Sequence, residues 1–516
     1  MSNPPNNISH KSDGYSDSYN MTVDHKSEQS SSENSYTSIL KRISAFGGVQ
    51  IFNILLNLIR GKFVAILLGP GGMGISSLYS GVSSSVQQFA SLGLNLAIVK
   101  EIAASKNSPI RVRYVRHTVK ILIFFTAICG LMACFIPAGL WSDITFGSYM
   151  YKWGFVGLGV AVAFTILGNG LMAILQGLGY IKLLTKASLI GGIVGLVVGV
   201  PLYYFFSTDG IVPAMVLLAF SIFLFYWISL RKIDHNNSAD WMNFSFKRMR
   251  PLIFRLVSLG VILMIGNLVG TLVNYLINLY IRSSGCLDDV GLFQAASSLT
   301  NQYVGLIFSA LALDYFPRLS TVASNPTEMR RVVNRQTEIV MLVSTPLLIL
   351  LILSTPLIIK LLLSDSFLSI IPLMRWLGLG MAIQVIAFPI GYIYVAKNDR
   401  KAYIWMEVIW ANICWLVCSI YFYHQMGLIG LGVSLVVRGS IDLIINLWVC
   451  MTRYGFTYSL PALWAIGIGI ILMVIAFLAS FFINIMGWII MGSCLIISAC
   501  YSWIRLRKGI KSDTGQ

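Results

Sequence analysis

Fourteen apolar stretches, each long enough to cross the roughly 30 Å of a bilayer's hydrocarbon core, follow one another along this chain with short polar breaks between them. Six lie at 42–68, 75–99, 117–140, 153–176, 184–206 and 211–230. Six more lie at 252–281, 290–316, 336–363, 370–396, 402–423 and 428–450, and two close the chain at 460–483 and 485–504. A lone segment in hydrocarbon must satisfy its own backbone hydrogen bonds, so these spans are predicted to be α-helices. Only 11% of the 516 residues are charged, where ordinary globular domains carry about a quarter. The expectation is an all-α polytopic membrane protein with 14 transmembrane helices.

The chain is basic, with 37 Lys and Arg against 20 Asp and Glu and a net charge of +17. These cations are placed unevenly. With the N-terminus in the cytoplasm, connections on that side hold Arg111, Arg113 and Arg116, then Lys247, Arg248 and Arg250, then Arg330, Arg331 and Arg335, and finally Arg505, Arg507 and Lys508. Connections on the far side hold Lys152, Arg282 and Lys360. This asymmetry predicts both termini in the cytoplasm and an even number of spans. It explains the basic balance without any nucleic acid. Residues 1–41, rich in Ser and Asn, are predicted to be a disordered cytoplasmic tail without the apolar core of a signal peptide. A second cytoplasmic tail is expected at 506–516.

The chain also repeats itself. "YYFFSTDGIVPAMVLL" (203–218) matches "IYFYHQMGLIGLGVSLV" (420–436) as an aromatic cluster, a turn with Gly210 or Gly427, and an apolar run. "WGFVGLG" (153–159) echoes "WLGLG" (376–380). Six spans return a chain to its starting side, so the two repeats are parallel. They are expected as an N-lobe at 42–230 and a C-lobe at 252–451, joined by a cytoplasmic linker at 231–251 and followed by two further helices within 452–505. Parallel repeats place a substrate site between them, here a central cleft.

Polar residues interrupt four of the spans. At 100° per residue, Gln50, Asn53, Asn57 and Arg60 fall within an arc of about 80° on the first helix. The second carries Ser80, Ser84, Gln88, Ser91 and Asn95, the seventh Asn267, Thr271, Asn274, Asn278 and Arg282, and the eighth Gln294, Ser298, Asn301, Gln302 and Ser309. These four stand at equivalent places in the two repeats, and the simplest geometry sets them around a water-accessible cleft. Polar side chains also hold membrane helices together, so each Asn alone has two readings. Lys62 either snorkels to the interface or faces the cleft. Arg60 is harder to place otherwise. It lies near the middle of its span, and burying it there costs roughly 2.5–3.5 kcal/mol. Between 43 and 230 the acids are Glu101, Asp143 and Asp209, all at helix ends or loops. An intramembrane cation without a carboxylate points to an anion as ligand.

Other charges are more balanced. Arg438 and Asp442, at i and i+4, are expected to pair, and Glu407, without a local partner, is a candidate ion-coupling carboxylate alongside them. Enzyme signals are weak. Five scattered histidines and eight cysteines, mostly within apolar runs, show no metal-ligand spacing. "GPGGMG" (69–74) follows a membrane helix rather than a strand and reads as a tight turn. No catalytic residue and no metal is predicted.

The fourteen spans, the repeats, the cationic cleft, "FVAILLGPGGMGISSLYS" (63–80) and "LGLNLAIVKEIA" (92–103) together resemble the Wzx-type O-antigen translocases. These are polysaccharide flippases of the multidrug/oligosaccharidyl-lipid/polysaccharide exporter superfamily. The resemblance covers about residues 40–505. It implies a lipid-linked oligosaccharide on undecaprenyl diphosphate, turned by alternating access from the cytoplasmic to the periplasmic leaflet of a bacterial inner membrane. It further implies contact with membrane lipids, a polysaccharide polymerase and chain-length machinery, and no cofactor beyond an H⁺ or Na⁺ gradient. The residue chemistry fits such a substrate: Arg60, with Lys62 or Arg282, for a diphosphate, and the amide and hydroxyl stripes for sugar. The last two helices resemble an added pair in lipid II flippases that grooves the lipid tail. The second helix here lacks an arginine, which departs from that branch. The competing readings are an ion-coupled drug or cation antiporter of the same superfamily, or a lipid II flippase.

Overall fold

Every regular element among the described residues is helical. The computed structural model describes residues 25–106, 108–235, 246–482 and 484–513. The helices are α1 (His25–Ala90), α2 (Leu94–Ala104), α3 (Pro109–Phe135), α4 (Ala138–Phe146), α5 (Lys152–Leu178), α6 (Ile181–Phe206), α7 (Ile211–His235) and α8 (Phe246–Ser284). They continue with α9 (Leu287–Val322), α10 (Pro326–Leu362), α11 (Ile371–Ala396), α12 (Arg400–Tyr403), α13 (Ala411–Met426), α14 (Leu428–Tyr454), α15 (Leu460–Ala479) and α16 (Ile485–Asp513). A π-helical segment, Ile404–Trp410, joins α12 to α13. Val49–Gln516 forms one compact unit, and Met1–Gly48 is a second.

Eleven stretches among the described residues are long and apolar enough to cross a membrane. Ile181–Ile233 contains both α6 and α7, and Ile54–Ala90 contains a break within α1, while α9 is not among the eleven. The count of fourteen is therefore not reached by that measure. Several helices outrun their apolar cores. α1 starts at His25, inside the segment expected to be a disordered tail, α7 and α8 enter the 231–251 linker, and α16 runs past 505 to Asp513. Once a helix exists, each further residue adds a hydrogen bond at little cost. The rest of these segments, 1–24, 236–245 and 514–516, lies outside the described residues.

α1 breaks where the sequence says "LGPGG". Gly69 sits at φ 65°, ψ −169°, a conformation essentially reserved for glycine. Pro70, which has no N–H to give to the preceding turn, then begins the second arm. That arm ends at Ala90, and Leu92 (φ 50°) and Gly93 (φ 62°) turn the chain into α2. The predicted span 75–99 is thus two helices. Elsewhere capping sets the starts: Asn325 Oδ1 accepts from the N–H groups of Thr327 (3.0 Å) and Glu328 (3.4 Å), with Pro326 at the first helical position.

Lipid offers no hydrophobic drive between helices, so close packing of small residues carries the association. α6 shows this along Gly191, Gly195 and Gly199, one turn apart and facing Ile222, Leu218 and Ala214 of α7. Ser221 Oγ donates to the Gly191 carbonyl across that contact (2.8 Å). The main pairings in the first half are α3 on α5, α5 on α7 and α6 on α7. In the second half α10 packs on α11, α11 on α14 and α13 on α14. Helix for helix this is the same order. α15 and α16 pack together on α10.

The fine register differs from the sequence match. Gly210 lies directly against the Leu202 carbonyl and the Tyr203 amide, and Gly430 lies in the same way against the Phe422 carbonyl and the Tyr423 amide. Gly430, not Gly427, is therefore the counterpart of Gly210. Tyr423 is the counterpart of Tyr203.

Candidate functional site

A cavity of about 200 Å³ opens between the two arms of α1, α9 and the end of α10. Arg60 and Lys62 line it from the first arm, with Asn57. Ser76, Ser77 and Ser80 line it from the second arm, and Gln294, Ser298 and Gln302 from α9, one turn apart. Leu58, Val64, Met73, Leu299, Leu362 and Leu363 give it an apolar lining as well. Among the described residues, no carboxylate lines it. Arg60 Nε donates to the Tyr203 hydroxyl of α6 (3.4 Å), and Arg60 makes no ion pair among the described residues.

A hydrogen-bonded chain fixes the wall opposite. Asn278 Nδ2 of α8 donates to Ser77 Oγ (3.4 Å), Ser77 Oγ donates to Gln294 Oε1 (3.0 Å), and Gln294 Nε2 donates to Ser298 Oγ (3.0 Å). Three helices are thereby joined through polar groups. Asn278 Oδ1 and Gln302 Oε1 are buried without a partner among the described residues. A buried unpaired acceptor is costly; of the two, Gln302 lines the cavity and Asn278 does not.

Not every residue of the four stripes joins this cavity. Gln88 is half-buried further along the second arm, and Asn95 lies beyond the break, on α2. Asn267, Asn274 and Asn301 are exposed. Asn274 donates to the Gly270 carbonyl (2.9 Å) and accepts from Trp415 Nε1 (3.3 Å), which ties α8 to α13. The side chains of Gln50 and Asn53 lie outside the described residues. Arg282 is absent from the cavity lining. Its Nη2 instead reaches the Ile144 carbonyl in the last turn of α4 (3.4 Å), beside Gly147. A cation there complements the helix's negative end.

Contacts between early and late helices stand at both ends of the second arm of α1. At the Gly69 end, Gly74 touches the Leu287 carbonyl and Gly291 touches the Pro70 carbonyl, so a Cβ at either would overlap backbone. Tyr275 and Thr145 share a hydrogen bond nearby (2.8 Å). At the far end of the second arm, Gly93 and Gly260 meet through the carbonyls of Gly260 and Leu92. Glu101 there binds Arg255 of α8 and approaches Arg111 of α3 (3.5 Å).

A second polar cluster lies in the later helices. Glu407 sits in the π-helical segment, its Oε1 against Gly391, where a Cβ would come within 2.7 Å. π-Turns release carbonyls from the regular ladder and recur at functional sites. Asn412 Nδ2 satisfies two of them, Val408 O (2.8 Å) and Glu407 O (3.4 Å). Asp442 and Arg438 are its charged neighbours. The expected Arg438–Asp442 bond is not made through Arg438 Nε or Asp442 Oδ1, both buried without a partner. The Arg438 guanidinium lies 5.6 Å from the centre of the Trp415 ring instead, where the aromatic face draws it. Among the described residues no group of His, Cys, Asp and Glu could hold a metal ion.

The sequence model described as "Polysaccharide biosynthesis protein" matches residues 63–372. The chain belongs to that family. The match begins just after Arg60 and Lys62 and includes the serines and glutamines of the cavity. The chain is 23% identical over 363 residues to the lipid III flippases of Escherichia coli (strain K12) and Shigella flexneri, covering 68% of this chain and 83% of each relative. The lipid II flippase MurJ in its inward closed conformation superposes with a TM-score of 0.65 at 15% identity, covering 91% of this chain and 99% of that one. An inward-facing multidrug resistance MATE transporter of the MOP superfamily also reaches 0.65, at 14% identity, over 78% and 94%. The fold is the one these transporters share. Family members and structural neighbours alike are named as transporters or polysaccharide proteins rather than enzymes.

Proposed function

We propose that this protein is a flippase for a lipid-linked oligosaccharide, of the O-antigen repeat-unit class on undecaprenyl diphosphate, with Arg60 holding the diphosphate. The observation that carries this reading is the cavity: two cations, a set of amides and hydroxyls, and no carboxylate among its described lining residues. Arginine and lysine suit a diphosphate. Amide and hydroxyl groups suit sugar, and a wet, polar passage spares the headgroup the cost of bare hydrocarbon. A cationic drug would meet Arg60 and Lys62, which disfavours the antiporter reading. At about 200 Å³ the cavity is below the roughly 300–1,000 Å³ of sites that enclose a drug-sized ligand. It must widen for a whole repeat unit.

Movement runs from the cytoplasmic to the periplasmic leaflet of a bacterial inner membrane, with both termini cytoplasmic. The contacts at the two ends of the second α1 arm open in alternation. Glu407, with Asp442 and Arg438, couples that alternation to an H⁺ or Na⁺ gradient, and polymerase and chain-length machinery take up the product. Arg60→Ala is expected to abolish transfer of the lipid-linked oligosaccharide in cells that depend on this protein, while expression and membrane insertion persist. Normal surface polysaccharide in the Arg60→Ala strain would overturn the diphosphate role.

A further inference from the structure

Tyr203 and Tyr423 hold the same place in the two halves of the molecule. Each follows the residue whose carbonyl lies against a glycine eight residues further on, past the end of the helix, Gly210 on Leu202 and Gly430 on Phe422. Each is almost fully buried, at 3% and 6% exposure. Each grips a charged side chain. The Tyr423 hydroxyl donates to Asp289 Oδ2 in the first turn of α9 (2.8 Å), whereas the Tyr203 hydroxyl accepts from Arg60 Nε (3.4 Å). A phenol can do either, so one backbone position serves an anion in one half and a cation in the other.

We propose that Tyr203 is a positioning residue for Arg60, turning its guanidinium so that the terminal amino groups face the diphosphate. This rests on the reading of Arg60 as the diphosphate ligand. An arginine has five N–H donors in a rigid planar fork. With Nε engaged by Tyr203, the end-on pair is what remains for a bidentate contact. Tyr203 is itself fixed in height by Gly210 and in distance by the approach of α6 to α1, where a Cβ at Gly192 would lie 2.8 Å from Leu56 Cδ1. A long, flexible side chain held before its ligand arrives loses less freedom on binding. Tyr203 is not among the residues lining the cavity, so it acts through Arg60.

The test uses the full-length protein in detergent, with undecaprenyl diphosphate and undecaprenyl phosphate as probes and direct binding measurements. Tyr203→Phe is expected to weaken the diphosphate about tenfold, to weaken the monophosphate less, and to leave the ligand-free thermal midpoint unchanged. Arg60→Ala with Tyr203→Phe should bind no more weakly than Arg60→Ala alone. In an Arg60→Lys background, which has no Nε to grip, Tyr203→Phe should change nothing. Tyr423→Phe should keep wild-type affinity. Wild-type diphosphate affinity in Tyr203→Phe, or an additive loss in either double variant, overturns the positioning role. Should Arg60→Ala itself keep full affinity, the diphosphate reading of the cavity fails, whatever Tyr203→Phe does.

Discussion

The helices up to α7 and those from α8 to α14 pack alike and are charged unlike. Both halves use the same order of helix pairings, and both rest a glycine on a backbone carbonyl ahead of a buried tyrosine. The first half sets two cations in a cavity with no carboxylate among its described lining residues. The second half sets Glu407, Asp442 and Arg438 together around a π-helical segment. Packing that depends on small residues and main chain tolerates divergence at the polar positions. The fold can therefore be kept while the polar residues of the two halves diverge, cationic in one and mixed in the other.

The sharpest way to break this comparison is to remove one arginine from each half. Arg60→Ala should cut affinity for a diphosphate lipid by about a hundredfold, in keeping with the loss of a charge-assisted contact. Arg438→Ala should leave that affinity within about twofold, because Arg438 faces Trp415 and the acidic pair. Binding measured on both purified variants decides the matter. Equal losses would mean that the halves do not divide the work.

The seam between the halves comes next. Gly260 meets the Leu92 carbonyl with no room for a Cβ, and overpacking of this kind costs about 1–3 kcal/mol. Gly260→Val should lower the thermal midpoint and raise the accessibility of a cysteine placed at Ser91. Gly492→Ala, at a helical site with nothing nearby, should instead stabilise by about 0.5–1 kcal/mol. An unperturbed Gly260→Val protein would show that the two backbones do not meet.

Glu407→Gln tests the second half by itself. Transfer should continue at the rate seen without a gradient and no longer respond when H⁺ or Na⁺ is imposed, as a vesicle assay would show. A retained response would remove Glu407 from the coupling role.

The sequence revealed the helical membrane architecture readily, because long apolar runs leave few alternatives. It revealed the cavity only in part. Asn57, Arg60, Ser80, Gln294, Ser298 and Gln302 share the cavity as helical periodicity implies, since they lie on unbroken helix. Helical spacing groups Asn95 with Gln88 because "SLGLNLAIV" carries no charge or proline to mark a break, yet positive φ at Leu92 and Gly93 turns the chain there. Arg282 carried the right angle for the cleft. The segment 141–152 reads as a connection, yet α4 runs into it from Ala138 to Phe146, and the carboxyl end of that helix takes the arginine. Tyr203 was hidden in an aromatic cluster. A three-residue shift in the repeat register, from Gly427 to Gly430, exposes it.

The smallest expected effect lies outside the membrane spans, at Asp399 between α11 and α12. The Ala402 N–H donates to Oδ1 (3.1 Å), and this bond chiefly lowers the carboxyl below its usual range, helped by the Tyr454 hydroxyl (2.8 Å) and Arg453 (2.7 Å). These contacts cap α12 and tie it to the end of α14. A carboxyl whose folded pKa is depressed stabilises the fold above its unfolded value, about 3.9, and loses that contribution as pH falls toward the folded value. The stability difference between wild type and Asp399→Asn should therefore be constant from pH 7 to about 5 and shrink below about pH 4. Thermal midpoints of both proteins across that range provide the check. A difference that persists undiminished to pH 3 would mean that the charge on Asp399 contributes nothing and that the cap holds through neutral hydrogen bonds alone.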